Sequence, residues 1–114
     1  MPMITTKTTA EISKEQEIAL KSKLGKAIAI LPGKSEQWLM VSFEDNCRMY
    51  FKGDNSNPLA FVEVKVYGKI SPSAADGLTA KICDIFDSVL GIAPADVYVK
   101  YEEVSMWGWN GGNF

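Results

Sequence analysis

Two hydrophobic rhythms alternate along this chain. Short runs repeat every two residues, longer runs every three or four, and their order occurs twice. Met3 and Ile4 followed by Thr5, Thr6, Lys7 and Thr8 form a β-prone run. Ser13 then offers a helix N-cap, with Gln16 three residues later to complete a capping box. Ile18, Leu20, Leu24, Ala27, Ile28 and Leu31 recur at helical spacing, and Pro32-Gly33 stops the helix. Residues 38–43, from Trp38 to Phe43, read as the next strand. The second half repeats this order. Residues 59–66 are a strand, and Ser71-Pro72 caps a helix with proline at its first position. Ala75, Leu78, Ile82, Ile85, Phe86 and Val89 make its apolar stripe. Gly91 and Pro94 end it, and residues 96–101 form the last long strand.

The two halves keep a constant offset of 58 residues: Thr5 to Glu63, Ser13 to Ser71, Phe43 to Tyr101. Tandem βαβ units spanning about 2–45 and 60–103 predict an α+β fold. The expected architecture is a four-stranded mixed sheet with two helices on one face. Between the halves, residues 47–51 read as a short extra strand and residues 52–58 as a turn-rich loop. Helices on one face leave the other uncovered. Phe61, Val62, Val64, Val66, Leu39, Val41 and Phe43 suggest strands apolar on both sides, which are buried on both sides. Self-association would cover the second face, as would a tail folded back over the sheet. The tail, with Met106, Trp107 and Trp109, suits an interface.

Composition narrows the chemistry. The 114 residues fit one domain, and 46% hydrophobic with 23% charged residues describe a globular chain. A net charge of -2 without a basic stripe excludes a nucleic-acid footprint. No apolar run is long enough for a membrane helix. Residues 1–26 lack the hydrophobic core of a signal peptide, so the cytoplasm is the expected compartment. Histidine is absent, which removes Ser-His-Asp and Cys-His triads and histidine-ligated metals. No cofactor or metal ion is expected. Near neutral pH the α-amino group becomes the natural base, with an ordinary pKa of about 7.7–8.0.

That draws attention to Pro2. If Met1 is removed, the chain starts with a secondary amine held in a ring, able to act as base or nucleophile. If Met1 stays, the nitrogen is an amide without basicity. Other constellations are weaker. Pro32-Gly33-Lys34-Ser35 imitates the end of a phosphate-binding loop, but Ile28 stands where glycine is needed and the loop follows a helix. Glu44-Asp45 and Glu102-Glu103 are paired carboxylates at equivalent strand ends, which favours a solvated edge over a catalytic dyad. Cys83 sits beside an apolar stripe, more a small hydrophobe than a reactive thiol, and Cys47 has only Arg48 as a basic neighbour. Trp107, Trp109 and Phe114 suit a core, an interface or an aromatic pocket.

Several of these motifs together resemble the macrophage migration inhibitory factor (MIF) family of the tautomerase superfamily. They are Met1-Pro2-Met3, Pro32-Gly33-Lys34, Gly68-Lys69-Ile70, Pro94-Ala95-Asp96-Val97-Tyr98-Val99 and the closing Gly108-Trp109-Asn110-Gly111-Gly112-Asn113-Phe114. The resemblance spans the chain as a single domain, 1–114. It implies a homotrimer with sheets facing inward and pockets between protomers. It also implies a keto–enol tautomerase acting on small aromatic α-keto acids such as phenylpyruvate, and on dopachrome-like compounds. By position it makes Pro2 the base and Lys34 the cation for the substrate carboxylate. Met3, Trp38, Val66, Tyr67 and Phe114 would line the pocket, and Tyr98 would reach in from the neighbouring protomer. Some animal members are secreted without a signal peptide and act as cytokines on cell-surface receptors. A signalling protein with a vestigial site is therefore the alternative. Lys100 replaces an asparagine of the best-known members, and Trp107 and Tyr67 replace aliphatic residues. The implied pocket is bulkier and more cationic. The family's C-x-x-C is missing, which argues against thiol-oxidoreductase chemistry.

Overall fold

The computed structural model describes residues 1–114. Strand β1 (Pro2–Thr8) leads to helix α1 (Lys14–Ala27) and strand β2 (Met40–Glu44); β3 (Ala60–Tyr67), α2 (Pro72–Leu90) and β4 (Val97–Val104) repeat that order. A short hairpin, β5 (Gly108–Trp109) and β6 (Gly112–Asn113), closes the chain. The sheet order is β2-β1-β3-β4. The outer strands run parallel to their neighbours, and the central pair, β1 and β3, is antiparallel.

The sequence repeat becomes a pseudo-twofold axis. Thr5 and Glu63 are equivalent in the repeat and face each other across the central pair. The parallel registers match as well: Met3 pairs with Met40, and Phe61, its repeat equivalent, pairs with Tyr98. The helices start as the caps require. Ser13 Oγ accepts from Gln16 N at 3.2 Å while Gln16 Oε1 accepts from Ser13 N at 2.9 Å. Ser71 Oγ accepts from Ala74 N at 3.2 Å. Gly91 ends α2 at φ 69°, a conformation that glycine adopts without a Cβ penalty.

The carboxylate pairs do structural work. Asp45 Oδ2 accepts from Ile12 N at 3.0 Å, and Glu103 Oε2 accepts from Ile70 N at 2.8 Å. These are the same bond in the two repeats, each tying a strand end to the loop before a helix. The Ile70 amide, aided by Lys69, holds the Glu103 carboxyl below its usual range. On α2, Tyr101 Oη donates to Ala75 O at 2.8 Å and meets Thr79 Oγ1 at 2.9 Å, pinning β4 to the helix.

The core lies between helices and sheet. Ile4, Val62, Val64 and Val66 meet Leu20, Leu24, Leu78, Ile82 and Phe86, all fully buried. Four expectations change. Residues 47–50 form no strand, and Phe51 only bridges to Asp54. That segment packs Phe51 on Tyr98 of β4 through side chains and adds no strand to the sheet. The second strand begins at Met40, because Glu36–Trp38 closes into a 3-10 turn. Ile18 is 56% exposed, since it lies about 200° around the helix from buried Leu20. Finally, the strands are not apolar on both sides. Val62, Val64 and Val66 face the helices, while the open face carries Thr5, Ser42, Glu63 and Lys100 across its middle. Apolar groups on that face gather at its two ends, Met3 and Met40 at one, Phe61 and Tyr98 at the other.

One buried polar atom lacks a partner: Thr6 Oγ1, in a residue 1% exposed. Thr8, two residues on, donates to Leu59 O at 2.7 Å. A buried unsatisfied hydroxyl costs about 1–3 kcal/mol. Thr6→Val keeps the shape and removes that cost, so it should raise stability by about 1 kcal/mol in urea unfolding. Thr8→Val should lower it. The Glu103 bond predicts an acid response. A carboxyl with a depressed folded pKa contributes stability above its unfolded pKa, and that contribution is lost as pH falls through the folded value. Glu103→Gln should therefore flatten the fall of thermal midpoint on acidification.

Candidate active site

Pro2 opens β1 and lies opposite Val66, so the chain's second residue is held by the middle of the sheet rather than left loose. It is buried. In the full chain its nitrogen is the amide of Met1. The Met1 carbonyl accepts from Tyr67 N at 2.9 Å, which extends the ladder by one more bond. Lys34 arrives from the turn after α1, where Gly33 takes φ 80° and Lys34 N donates to Leu31 O at 3.1 Å. Its Nζ donates to Tyr67 O at 2.9 Å. One residue of β3 thus meets both components: its N–H faces Met1 and its carbonyl faces the Lys34 ammonium.

The electrostatics follow from that geometry. The Met1 α-ammonium is held below its ordinary pKa, first by partial burial and then by repulsion from Lys34. Each effect penalises the charged form.

Aromatic side chains build the walls. The hairpin of β5 and β6 turns through Asn110 (φ 52°) and Gly111 (φ 87°), the left-handed pair such a two-residue turn requires. Phe114 N donates to Trp107 O at 3.1 Å, which returns the last residue to the site. Trp38 meets Trp109 edge to face at 5.1 Å, and Tyr67 meets Phe114 at 5.4 Å. With Met1, these four surround a cavity of about 420 Å³. A groove continues from it past Pro2, Met3, Met40, Lys65 and Trp107, sharing Met1, Trp38 and Trp109 with the cavity.

The sequence-predicted residues therefore separate into three groups. Pro2, Met3, Lys34, Trp38, Tyr67, Trp107 and Phe114 assemble at one end of the sheet. Val66 belongs there by backbone only, since its side chain is fully buried in the core. Tyr98 and Lys100 do not join them within one chain. Tyr98 lies opposite Phe61 at the other end of β3 and packs on Phe51 at 5.0 Å. Lys100 sits at mid-sheet, 3.7 Å from Glu63 and 3.9 Å from Glu102. Lys34 is the cation that acts on the amine, and Lys100 is not among the causes. Several wall residues were not singled out by sequence as members of the site, among them Met40, Lys65 and Trp109. Trp109 was visible only as an aromatic of open role, and Lys65 required the register with Met3. Cys83 is half-buried, and burial pushes its thiol up, away from reactivity.

Fold and site together define a two-layer α+β protein of two βαβ units, with a proline at the start of the first strand and a lysine held by Tyr67 of the neighbouring strand. The family description "Macrophage migration inhibitory factor (MIF)" matches residues 1–114, and the chain belongs to that family. Solved relatives agree. MIF2 of Leishmania major is 29% identical with a TM-score of 0.92, covering 100% of this chain and 97% of that one. The homologue from Prochlorococcus marinus is 29% identical with a TM-score of 0.88, covering 98% of each chain. The MIF of Toxoplasma gondii, at 24% identity and TM-score 0.90 with 98% and 99% coverage, shares the fold. Comparison with curated proteins yields no match.

The edge-to-face tryptophan pair makes a prediction. Both rings are partly exposed, so the pair adds only about 0.5–1.5 kcal/mol beyond area burial. Trp109→Ala should lower stability by about 1 kcal/mol and abolish the exciton signal of coupled indoles in circular dichroism. Trp107→Ala should leave that signal in place.

Proposed function

We propose that the protein is a keto–enol tautomerase of aromatic α-keto acids, with Pro2 as general base once Met1 has been removed. The observation that carries this reading is the bond from Tyr67 N–H to the Met1 carbonyl. Removing Met1 would create the Pro2 amine and free a backbone donor in the same step. The two causes that lower the Met1 amine, burial and Lys34, would act on the new amine too, one residue deeper into the sheet. A lowered pKa keeps the base neutral near the working pH.

The chemistry then balances as a proton shuttle. The substrate carboxylate binds Lys34, which spends one donor on Tyr67 O and retains two. The neutral amine takes a proton from the carbon next to the keto group. Electron density moves onto the keto oxygen, where the freed Tyr67 N–H stabilises the enolate. The proline ammonium returns its proton to that oxygen, giving the enol. Trp38, Tyr67, Trp109 and Phe114 hold the aromatic ring and exclude water. Phenylpyruvate fits this description, and dopachrome-type rings are the second class.

Assembly belongs to the same proposal. Tyr98, with Phe51 packed on it, and Tyr50 expose apolar surface at one end of the sheet, while Met40, Trp109 and Phe114 do so at the other. A homotrimer that joins unlike ends would carry Tyr98 and Lys100 of one copy toward Pro2 of the next. The signalling reading, a receptor-binding trimer with a vestigial site, remains the one to adopt if processed protein proves inactive.

The test is phenylpyruvate tautomerisation by purified protein, with intact mass read on the same sample. Chains lacking Met1 should be active. Retention of any residue ahead of Pro2 should abolish activity, and Pro2→Ala should lower kcat/KM by about 10²–10⁴-fold. Full activity in either case rules the mechanism out. The pH profile carries a sign. The base works deprotonated, so kcat/KM rises with pH through the amine pKa. Lys34→Gln removes the repulsion that lowers this pKa, so the rising limb should move to higher pH as well as losing amplitude.

A further inference from the structure

Met1 divides a trough. It lines the aromatic cavity of Trp38, Tyr67, Trp109 and Phe114, and it lines the groove beyond. Removal of Met1 would open the one into the other past Pro2. Lys34 stands at the Tyr67 end. The groove end has its own cation, Lys65.

Lys65 is placed by register. It lies two residues before Tyr67 on the same open face, between Met3 on one neighbouring strand and Glu102 on the other. A Lys–Glu pair across strands would be the ordinary outcome. It does not form. The Glu102 carboxylate turns along its own strand to Lys100, at 3.9 Å, and Lys65 takes part in none of the ion pairs. The groove that Lys65 lines is walled largely by Met3, Met40, Trp107 and Trp109, with Gln37 the other polar side chain in it. Lys65 is half-buried. A lysine stem packs well on such a wall, and its ammonium has no carboxylate partner within the chain. An anion in the trough would supply a counter-charge.

We propose that Lys65 determines substrate specificity, and that the trough takes an aromatic 2-oxo acid bearing a second anionic group on the far side of its ring. The 2-oxo carboxylate goes to Lys34 and the second anion to Lys65, with the ring held between by Trp38 and Trp109. This rests on the tautomerase reading of the same site, and the experiment separates the two. A solvated surface lysine would give no such selectivity.

The assay uses protein lacking Met1, with phenylpyruvate and para-carboxyphenylpyruvate as the pair of substrates. Wild type should favour the carboxylated compound. Lys65→Met should lower the ratio of the two kcat/KM values about tenfold, through KM, and Lys65→Arg should restore it. Lys34→Met should weaken both substrates alike. A ratio unchanged in Lys65→Met overturns the proposal. Binding of the same two compounds is followed in parallel by quenching of tryptophan fluorescence. No turnover, with a Kd preference that depends on Lys65, would sink the tautomerase reading and sustain this one. Equal Kd values for the two compounds in wild type would overturn this proposal whatever the turnover.

Discussion

The antiparallel pairing of β1 with β3 is the contact on which the molecule depends. It joins the two βαβ units, and it does so about their own symmetry point, Thr5 opposite Glu63. Each unit alone would be a two-stranded parallel ribbon with one helix, too little to bury a core. Joined, they enclose one core of valines, leucines and isoleucines between four strands and two helices. The same pairing places the chain start. With Thr5 opposite Glu63, Pro2 must fall opposite Val66 and Met1 beside Tyr67. A terminus that would otherwise fray is built into the sheet.

The chemistry proposed for Pro2 depends on that placement. A proline amine in solution is an ordinary base and is protonated at neutral pH. Set into the end of a strand, it would lose water, and Lys34 is held nearby because its ammonium bonds the Tyr67 carbonyl. Desolvation and repulsion act in the same direction on the amine already present in the full chain. The lysine that would bind an acidic substrate is thus the one that lowers the amine pKa. In the proposed mechanism, substrate recognition and base strength would be coupled through that one side chain.

The open face of the sheet shows how charge is distributed by strand register. Its middle is a row of Ser42, Thr5, Glu63 and Lys100, polar and largely self-neutralising. Aromatic and methionine side chains collect at the ends. Such a face does not call for a flat apolar cover. It also explains why two lysines of one face behave differently. Lys100 shares two carboxylates, and Lys65, one row away, is left with a methionine and tryptophan wall.

Much of this was legible in the sequence because it depends on local pattern. Period-two and period-3.6 runs, the Ser13–Gln16 capping box, the Ser71-Pro72 start and the Gly91 stop are set by neighbours a few residues apart, and the 58-residue repeat of these signals fixed the order of elements. The motifs around Pro2, Lys34 and the closing Gly-Trp-Asn-Gly-Gly also stand in the primary sequence, enough to resemble the family to which the chain belongs. What local pattern does not contain is distance across strands. Trp38 reads as strand by its apolar neighbours, but tertiary packing turns it into a 3-10 bend facing Trp109. Residues 47–51 have strand composition but add no strand to the sheet. Tyr98 and Lys100 stand three and one positions before Tyr101 in sequence, yet only the sheet register shows that they lie away from Pro2, and only the register brings Lys65 beside Met3. The helices and the four main strands were determined by the sequence itself, since short-range sterics and capping act within a turn or two. The membership of the site was decided by tertiary structure, because it depends on which residues the β1–β3 register sets opposite one another.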